Sequence, residues 1–437
     1  MYLAAEKSLI ARDTAIPGLE MVLNPERLRS SLQQLFPDTP LDNLFPTYLR
    51  YKLGTNCLVA YRLKLKNQWL TFYVKALHQK HTTQEKTWQQ RSGLVGPLGL
   101  GRQVLPSMAT KLSEFPNDSK LPGLAYLTQL KDSWQDYRRL YPNSSQSGKL
   151  LQLRYKTERR YVAQWVEDGQ PQALVKAYAA KGFETASKNI RSLHSCDGLK
   201  LARPLAQFRE HGLISYEWLP GKDLALLLPE SDNHHSELEA VGNALAKLHQ
   251  QTLPKQDTDP NLVNIRAVLN LVDWLSFVWL DVKKLAHQIG DRLVQHLHQM
   301  PRRYQAIHGD FYADQVVVMS DAIAILDLDR ATQGDPMVDL GSFQAHLERQ
   351  CLQGALSYAQ IEHIQAHLLT GYRTASESNV GPDSDTRLSL YTALGLFFLS
   401  PAPFRYRDPR WPELTVQLLE RVLQLLEQIP AHAFRLA

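Results

Sequence analysis

The chain has 437 residues, 44% hydrophobic and 21% charged, which supports packed cores and excludes a disordered chain or a coiled coil. Three scattered cysteines, Cys57, Cys196 and Cys351, form no CxxC pair and exclude a disulfide framework or a cysteine zinc site. The net charge of +5 is uneven: from Pro301 onward there are 11 Arg, no Lys and 16 acidic residues, so the front is basic and the back acidic. That asymmetry suits nucleic-acid binding, or a phosphate-holding part joined to a metal-holding part. The front basic residues are scattered without a stripe or an RNA-binding motif, so no nucleic-acid partner is expected. The longest apolar run, near Ala393 to Leu399, is too short for a bilayer, which takes about 20 residues. The first twelve residues lack a secretion-signal pattern. A cytoplasmic setting with no membrane partner is the expectation.

In chain order, residues 1–45 read as an irregular or helical lead-in. Strand patterns follow at Tyr48–Lys52, Leu58–Lys64 and Leu70–Leu77, with a turn at Gly54–Asn56. Tyr141–Gly148 is rich in Pro, Asn, Ser and Gly and reads as a linker. Beyond it the pattern recurs. Arg50-Tyr51-Lys52 returns as Arg154-Tyr155-Lys156, 104 residues on, and Val74-Lys75-Ala76 returns as Val175-Lys176-Ala177, 101 residues on. Two matches in near register predict a duplicated β-unit. The strand Leu213–Glu217 runs into a Pro-Gly breaker. Leu238, Val241, Leu245 and Leu248 then recur as one helix face, and helical patterns continue through 274–300, 346–372 and 412–428. The expected class is α+β: a β-rich unit at 1–145, a second at 146–220, and a helical unit at 221–437.

The chemistry concentrates in residues 307–330. Val316–Met319 and Ala322–Leu326 are apolar runs around Ser320-Asp321, a two-residue hairpin turn without the favoured Gly. With the turn centred there, Gln315 faces Leu326 and lies beside Asp327. Asp310 sits in the loop just upstream. Carboxylate and amide oxygens converging on one point suit a hard cation such as Mg²⁺. A loop carboxylate nearby can accept the proton of an incoming hydroxyl. With a lysine for the phosphates, these are the parts of phosphoryl transfer.

This stretch resembles the aminoglycoside phosphotransferase and choline kinase superfamily, small-molecule relatives of protein kinases. His308-Gly309-Asp310, Gln315, Asp327 and Gly334–Gly341 match its catalytic segment. Leu245–His249 and Tyr216–Gly221 are similar to its helix motif and interlobe hinge. The resemblance covers about residues 150–425. It implies a bilobal protein-kinase-like fold with a β-rich N-lobe and a helical C-lobe, and ATP and Mg²⁺ as cofactors. The first β-unit would be an extra subdomain, similar in layout to the amino-terminal cap of maltokinase-like members. Asp310 would be the catalytic base, beside His308 as a packed, orienting residue. Asp327 and Gln315 would hold Mg²⁺. Asp329 would assist the metal or cap the turn. Asp339 would brace the loop, and main-chain groups of Glu217, Trp218 and Leu219 would meet the adenine. Gln315 departs from the Asn usual in the family, which keeps a nucleotide-binding pseudokinase without turnover as the alternative.

A kinase-like fold also needs a strand lysine, often tethered by a helix Glu. Lys176 with Glu184 and Lys75 with Glu85 both qualify. Lys176 is favoured because the second unit leads directly into the hinge. That unit lacks a glycine-rich turn and offers Arg159 and Arg160 instead, as phosphate contacts or a solvated tip. No acidic surplus remains beyond the catalytic stretch, so a neutral sugar or polyol fits as the hydroxyl acceptor at least as well as a polycation. Trp274, Trp279 and Trp411 read as core residues before sugar platforms. Arg405, Arg407 and Arg410 form a basic cluster for an anionic group or the surface.

Overall fold

The structure, a computed structural model, describes the chain except residues 1–2, 36, 38–39, 42, 66–67, 85–93, 100, 106–108, 131–137, 143, 145–147, 256–257, 377–382, 431–432 and 435–437. Glu85 and part of the expected linker thus lie outside the described residues. Helices Ala4–Arg12, Leu19–Leu23 and Pro25–Leu35 precede a first sheet of β1 (Leu44–Lys52), β2 (Asn56–Leu65), β3 (Gln68–Leu77), β4 (Arg102–Leu105) and β5 (Thr110–Glu114). The second sheet comprises β6 (Lys149–Lys156), β7 (Arg160–Glu167), β8 (Gln170–Tyr178), β10 (Pro204–Phe208) and β11 (Leu213–Glu217), while the short β9 (Leu199–Leu201) and β12 (Lys222–Asp223) belong to another sheet.

The two sheets share one strand order. The first runs β1-β2-β3-β5-β4 and the second β6-β7-β8-β11-β10. Their registers also agree. In the first, Arg50 and Lys75 both pair with Leu58; in the second, Arg154 and Lys176 both pair with Val162. The tripeptide repeats therefore mark equivalent rungs of a duplicated unit.

Strand alternation decides what each sheet face does. In the second sheet, Tyr161, Ala163 and Trp165 with Ala173, Val175 and Ala177 pack against Leu121, Leu124 and Leu127. The helix carrying the last two, Pro122–Gln129, thus belongs with the second sheet. Leu121, Leu124 and Leu127, which precede the expected linker, thus complete the second core. The opposite face, with Arg160, Val162, Leu174 and Lys176, is left to line a cleft.

The helical lobe gathers the long helices His235–His249, Pro260–Val278, Lys283–Gln299, Met337–Leu352, Tyr358–Ala375, Ser384–Leu399 and Trp411–Glu427 around one core. The first unit does not stand apart from this lobe. Its core takes in Val278, Phe404 and Trp411, and Arg12 donates to the carbonyls of Phe277 and Val278 at 2.7 and 3.2 Å. Trp274, Trp279 and Trp411 all belong to this joint: Trp279 packs edge-on against Trp411, and Trp274 edge-on against Phe404. Arg407, from the basic cluster, is buried against Glu6. Among the described residues, no helix is long and apolar enough to cross a membrane.

Candidate active site

The hairpin forms in the expected register. β14 (Val316–Val318) and β15 (Ile323–Ile325) pair antiparallel, Val316 opposite Ile325, and Leu326 N–H donates to Gln315 O at 2.7 Å. Asp327 follows in the left-handed region (φ +62°), a conformation that costs a non-glycine residue about 1–2 kcal/mol. That bend aims its carboxylate under the second sheet. A short ladder of β13 (Gln305–Ile307) and β16 (Thr332–Gly334) holds the two ends of the segment 307–332 together.

Asp339 organises the loop. Buried at the start of helix Met337–Leu352, it accepts His308 N–H at 2.6 Å, Gly309 N–H at 2.8 Å and His249 Nε2 at 2.9 Å. Burial alone would raise its pKa, but the hydrogen bond and charge of His249 and the contacts of His308 outweigh it and hold the carboxylate below its ordinary range. His308 is fully buried. Its Nε2–H donates to Leu326 O at 2.7 Å and its Nδ1 accepts the Asp310 N–H at 3.2 Å. Both ring nitrogens are engaged, so His308 orients the loop and has no free nitrogen for proton transfer. Asp310 is 41% exposed, with Arg330 Nη1 3.4 Å from its Oδ1.

A cavity of about 890 Å³ lies between the second sheet and the hairpin; its lining includes Arg160, Lys176, Gln315, Asp327 and Asp329, and the hinge residues Glu217, Trp218 and Leu219. Lys176 Nζ is 2.9 Å from Asp327 Oδ1 and 3.7 Å from Asp329 Oδ1. Arg160 Nη1 reaches both Asp327 oxygens at 2.6 Å and Asp329 Oδ2 at 2.9 Å, and Tyr178 OH donates to Asp329 at 3.0 Å. Two cations therefore neutralise two carboxylates. Burial opposes ionisation of both, but Lys176 and Arg160 hold Asp327 well below the usual carboxylate range. Asp329 is pushed up, first by burial and then by the charge of Asp327. Carboxylate and amide oxygens on one wall are a donor set that fits Mg²⁺.

Four expected residues sit differently. Glu184 does not tether Lys176: it is 57% exposed and pairs with Arg209 at 2.8 Å, because its helix Ala180–Ser192 buries Phe183, Ala186, Ser187 and Asn189 instead. The tether of Lys176 is the Asp327–Asp329 pair. Arg159 is exposed at the β6–β7 tip, and alternation sends its neighbour Arg160 into the cavity. At the hinge, Glu217 N–H donates to Arg203 O and Trp218 N–H to Gln172 O, which leaves Leu219 as the hinge N–H without a hydrogen bond among the described residues.

One feature of the tip had no local signal. Glu158 (φ +56°) occupies the bend where a glycine would be expected. Its carboxylate accepts Lys75 Nζ at 2.7 and 2.9 Å and pairs with Arg50, while its N–H donates to Asp118 at 2.7 Å. The lysine of the first sheet thus serves a contact between the two sheets.

A two-lobed, kinase-like frame with a lysine, an arginine and paired carboxylates on one cleft belongs to the class of phosphotransferases. The model of the phosphotransferase enzyme family, APH, matches residues 146–375, and the chain belongs to that family. No curated protein matches the chain. Among solved structures it is similar to a choline/ethanolamine kinase family protein from Mesorhizobium loti, at 16% identity and TM-score 0.46, covering 68% of this chain and 96% of that one. It is also similar to a choline kinase from Cryptosporidium parvum, at 11% identity and TM-score 0.48, covering 71% and 93%. A third is a thermostable mutant of aminoglycoside phosphotransferase APH(4)-Ia in ternary complex with ADP and hygromycin B, at 17% identity and TM-score 0.46, covering 68% and 98%.

Proposed function

We propose that this phosphotransferase moves the γ-phosphoryl group of ATP to a hydroxyl of a sugar-like polyol or amino alcohol, in the cytoplasm. The observation that carries the reading is the convergence of Lys176, Arg160, Gln315, Asp327 and Asp329 on one cavity, beside the loop that presents Asp310. The adenine lies in the apolar end of that cavity, along Val162, Leu174, Leu201 and Ile325, with Leu219 N–H at the hinge. Lys176 and Arg160 donate to the phosphates, releasing their present carboxylate partners. Asp327, Gln315 and Asp329 would hold Mg²⁺, which supplies neutralisation of phosphate charge when bound. Asp310 takes the proton of the acceptor hydroxyl as its oxygen forms the new bond to phosphorus and ADP leaves. His308 and Asp339 position that loop.

The surroundings of Asp310 favour the acceptor class. Arg330 is beside it, and Lys156 acts on it electrostatically. Burial first, then Arg154 and Arg160, lower the Lys156 pKa to about 8. Such a rim repels a polycation and accepts a neutral polyol or one bearing an anionic group. The first unit serves as a brace: it grips Glu158 on one side and the helical lobe on the other.

The test is ADP formation with a panel of sugars and amino alcohols. Wild type should phosphorylate at least one member, and Asp310→Asn should lower its turnover by roughly 10²–10⁴-fold, the usual worth of a general base. Nucleotide binding without turnover across the panel would contradict the reading.

A further inference from the structure

Away from the cleft, three histidines meet on the outer side of the helical lobe. His235 opens helix His235–His249, and His363 and His367 are one turn apart on helix Tyr358–Ala375. One ligand nitrogen of each lies within 4.8 Å of the other two. The rings are mutually packed, with centroids 4.4 to 4.6 Å apart.

Two details separate this cluster from ordinary ring packing. Glu239 accepts a hydrogen bond from His367 Nδ1 at 2.8 Å, which fixes the ring and leaves Nε2 as the basic nitrogen. A carboxylate on the far nitrogen is the usual outer support of a metal-bound imidazole. His363 Nε2 is buried and has no hydrogen-bond partner among the described residues. An unpaired buried acceptor costs about 1–3 kcal/mol, and a metal ion would satisfy it.

The backbone beneath is closely packed. The two helices cross so closely that a Cβ at Gly371 would lie 1.8 Å from Glu239 O, and one at Gly242 would lie 2.0 Å from Leu368 O. Zinc–nitrogen bonds of about 2.0–2.1 Å in a tetrahedral site place ligand nitrogens roughly 3.3 Å apart. Closing the remaining gap takes side-chain rotations that unstack the exposed His235 ring from His367 and turn the lone pairs toward one point.

We infer that His235, His363 and His367 form a binding site for a zinc-class divalent transition-metal ion, with Glu239 supporting His367 and the fourth position open to water. Three imidazoles without a thiolate suit Zn²⁺, Cu²⁺ or Ni²⁺ and not Mg²⁺. The ion staples the two helices that carry His249 and Tyr372, which are themselves hydrogen-bonded at 2.8 Å beneath Asp339. The site lies about 20 Å along the helix from His249, at 1.5 Å per residue, so it is separate from the nucleotide cleft.

The test uses the full chain stripped with chelator and titrated with Zn²⁺ and with Co²⁺, reading bound metal per chain and the visible absorption of tetrahedral Co²⁺. One equivalent should bind to wild type and to Asp327→Asn, and His363→Ala and His367→Ala should each abolish it. Glu239→Gln keeps all three rings and should weaken binding about 10–100-fold. Melting of each variant without metal checks its fold. If a histidine variant misfolds, the Glu239→Gln affinity decides alone. Less than one equivalent in wild type, binding that survives both histidine substitutions, its loss in Asp327→Asn, or unchanged affinity in Glu239→Gln would overturn the site.

Discussion

Lys75 Nζ sits 2.7 Å from Glu158 Oε1, so a lysine of the first sheet holds the turn that leads into the second sheet's Arg160. The Glu158 side chain is 5% exposed, and it also pairs with Arg50. Glu158→Ala would leave two cations partly buried and unpaired. Loss of one partner from a buried pair costs about 3–5 kcal/mol. Denaturant unfolding should show a loss toward the low end of that range, and Lys75→Met combined with Glu158→Gln should recover part of it. Strict additivity of the two substitutions would show that the contact carries no coupling.

The same carboxylate gives a pH dependence. Burial raises the Glu158 pKa, but Lys75 and Arg50 outweigh it, and the folded value falls below the ordinary 4.5. Its contribution to stability is therefore complete above pH 4.5 and is lost as pH falls through the depressed folded value. Between pH 5 and 3, wild type should lose more stability than Glu158→Gln. Parallel curves for the two proteins would rule out this source of acid sensitivity.

Arg160 pairs with both Asp327 and Asp329, so it would compete with a metal held by them as proposed. Arg160→Ala should bind Mg²⁺ more tightly in the absence of nucleotide, roughly tenfold for about 1.4 kcal/mol of relieved competition, while its affinity for Mg²⁺–ATP falls. Melting temperature against Mg²⁺ concentration reads the first effect and calorimetric titration the second. Weaker binding in both would mean that Arg160 preforms the metal site instead of competing for it.

Asp339→Asn replaces a carboxylate that accepts the N–H groups of His308 and Gly309 and the ring of His249. An amide offers one accepting oxygen in place of two. The loss should be about 1–3 kcal/mol of stability, together with lower kcat and nearly unchanged nucleotide affinity, because Asp339 touches the loop and not the cavity. A fall in ATP affinity with kcat preserved would contradict this placement.

Much of the site was legible because its signals are local. The β14–β15 register follows from two apolar runs and the turn between them, and the duplication follows from repeated tripeptides on equivalent rungs. The choice between Arg159 and Arg160 was within reach of the same reasoning. Val162 and Lys176 share a rung on the cleft face, so alternation along β7 selects Arg160. Glu184 was misplaced because sequence distance from Lys176 does not say which helix face turns inward; Phe183 and Ala186 settle that by burial. The Glu158–Lys75 contact, 83 residues apart, and the packing of Pro122–Gln129 on the second sheet depend on how the two units dock, which no short-range pattern encodes.

In the proposed function the second sheet holds the nucleotide while the first sheet braces it. Thermal unfolding with and without Mg²⁺–ATP tests this on wild type, Lys75→Ala and Lys176→Ala. Ligand at about 100 times its dissociation constant adds roughly 2.7 kcal/mol. Wild type and Lys75→Ala should both show the stabilisation, the latter from a lower starting temperature, and Lys176→Ala should lose most of it. Stabilisation kept in Lys176→Ala and lost in Lys75→Ala would place the nucleotide on the other sheet and contradict the account.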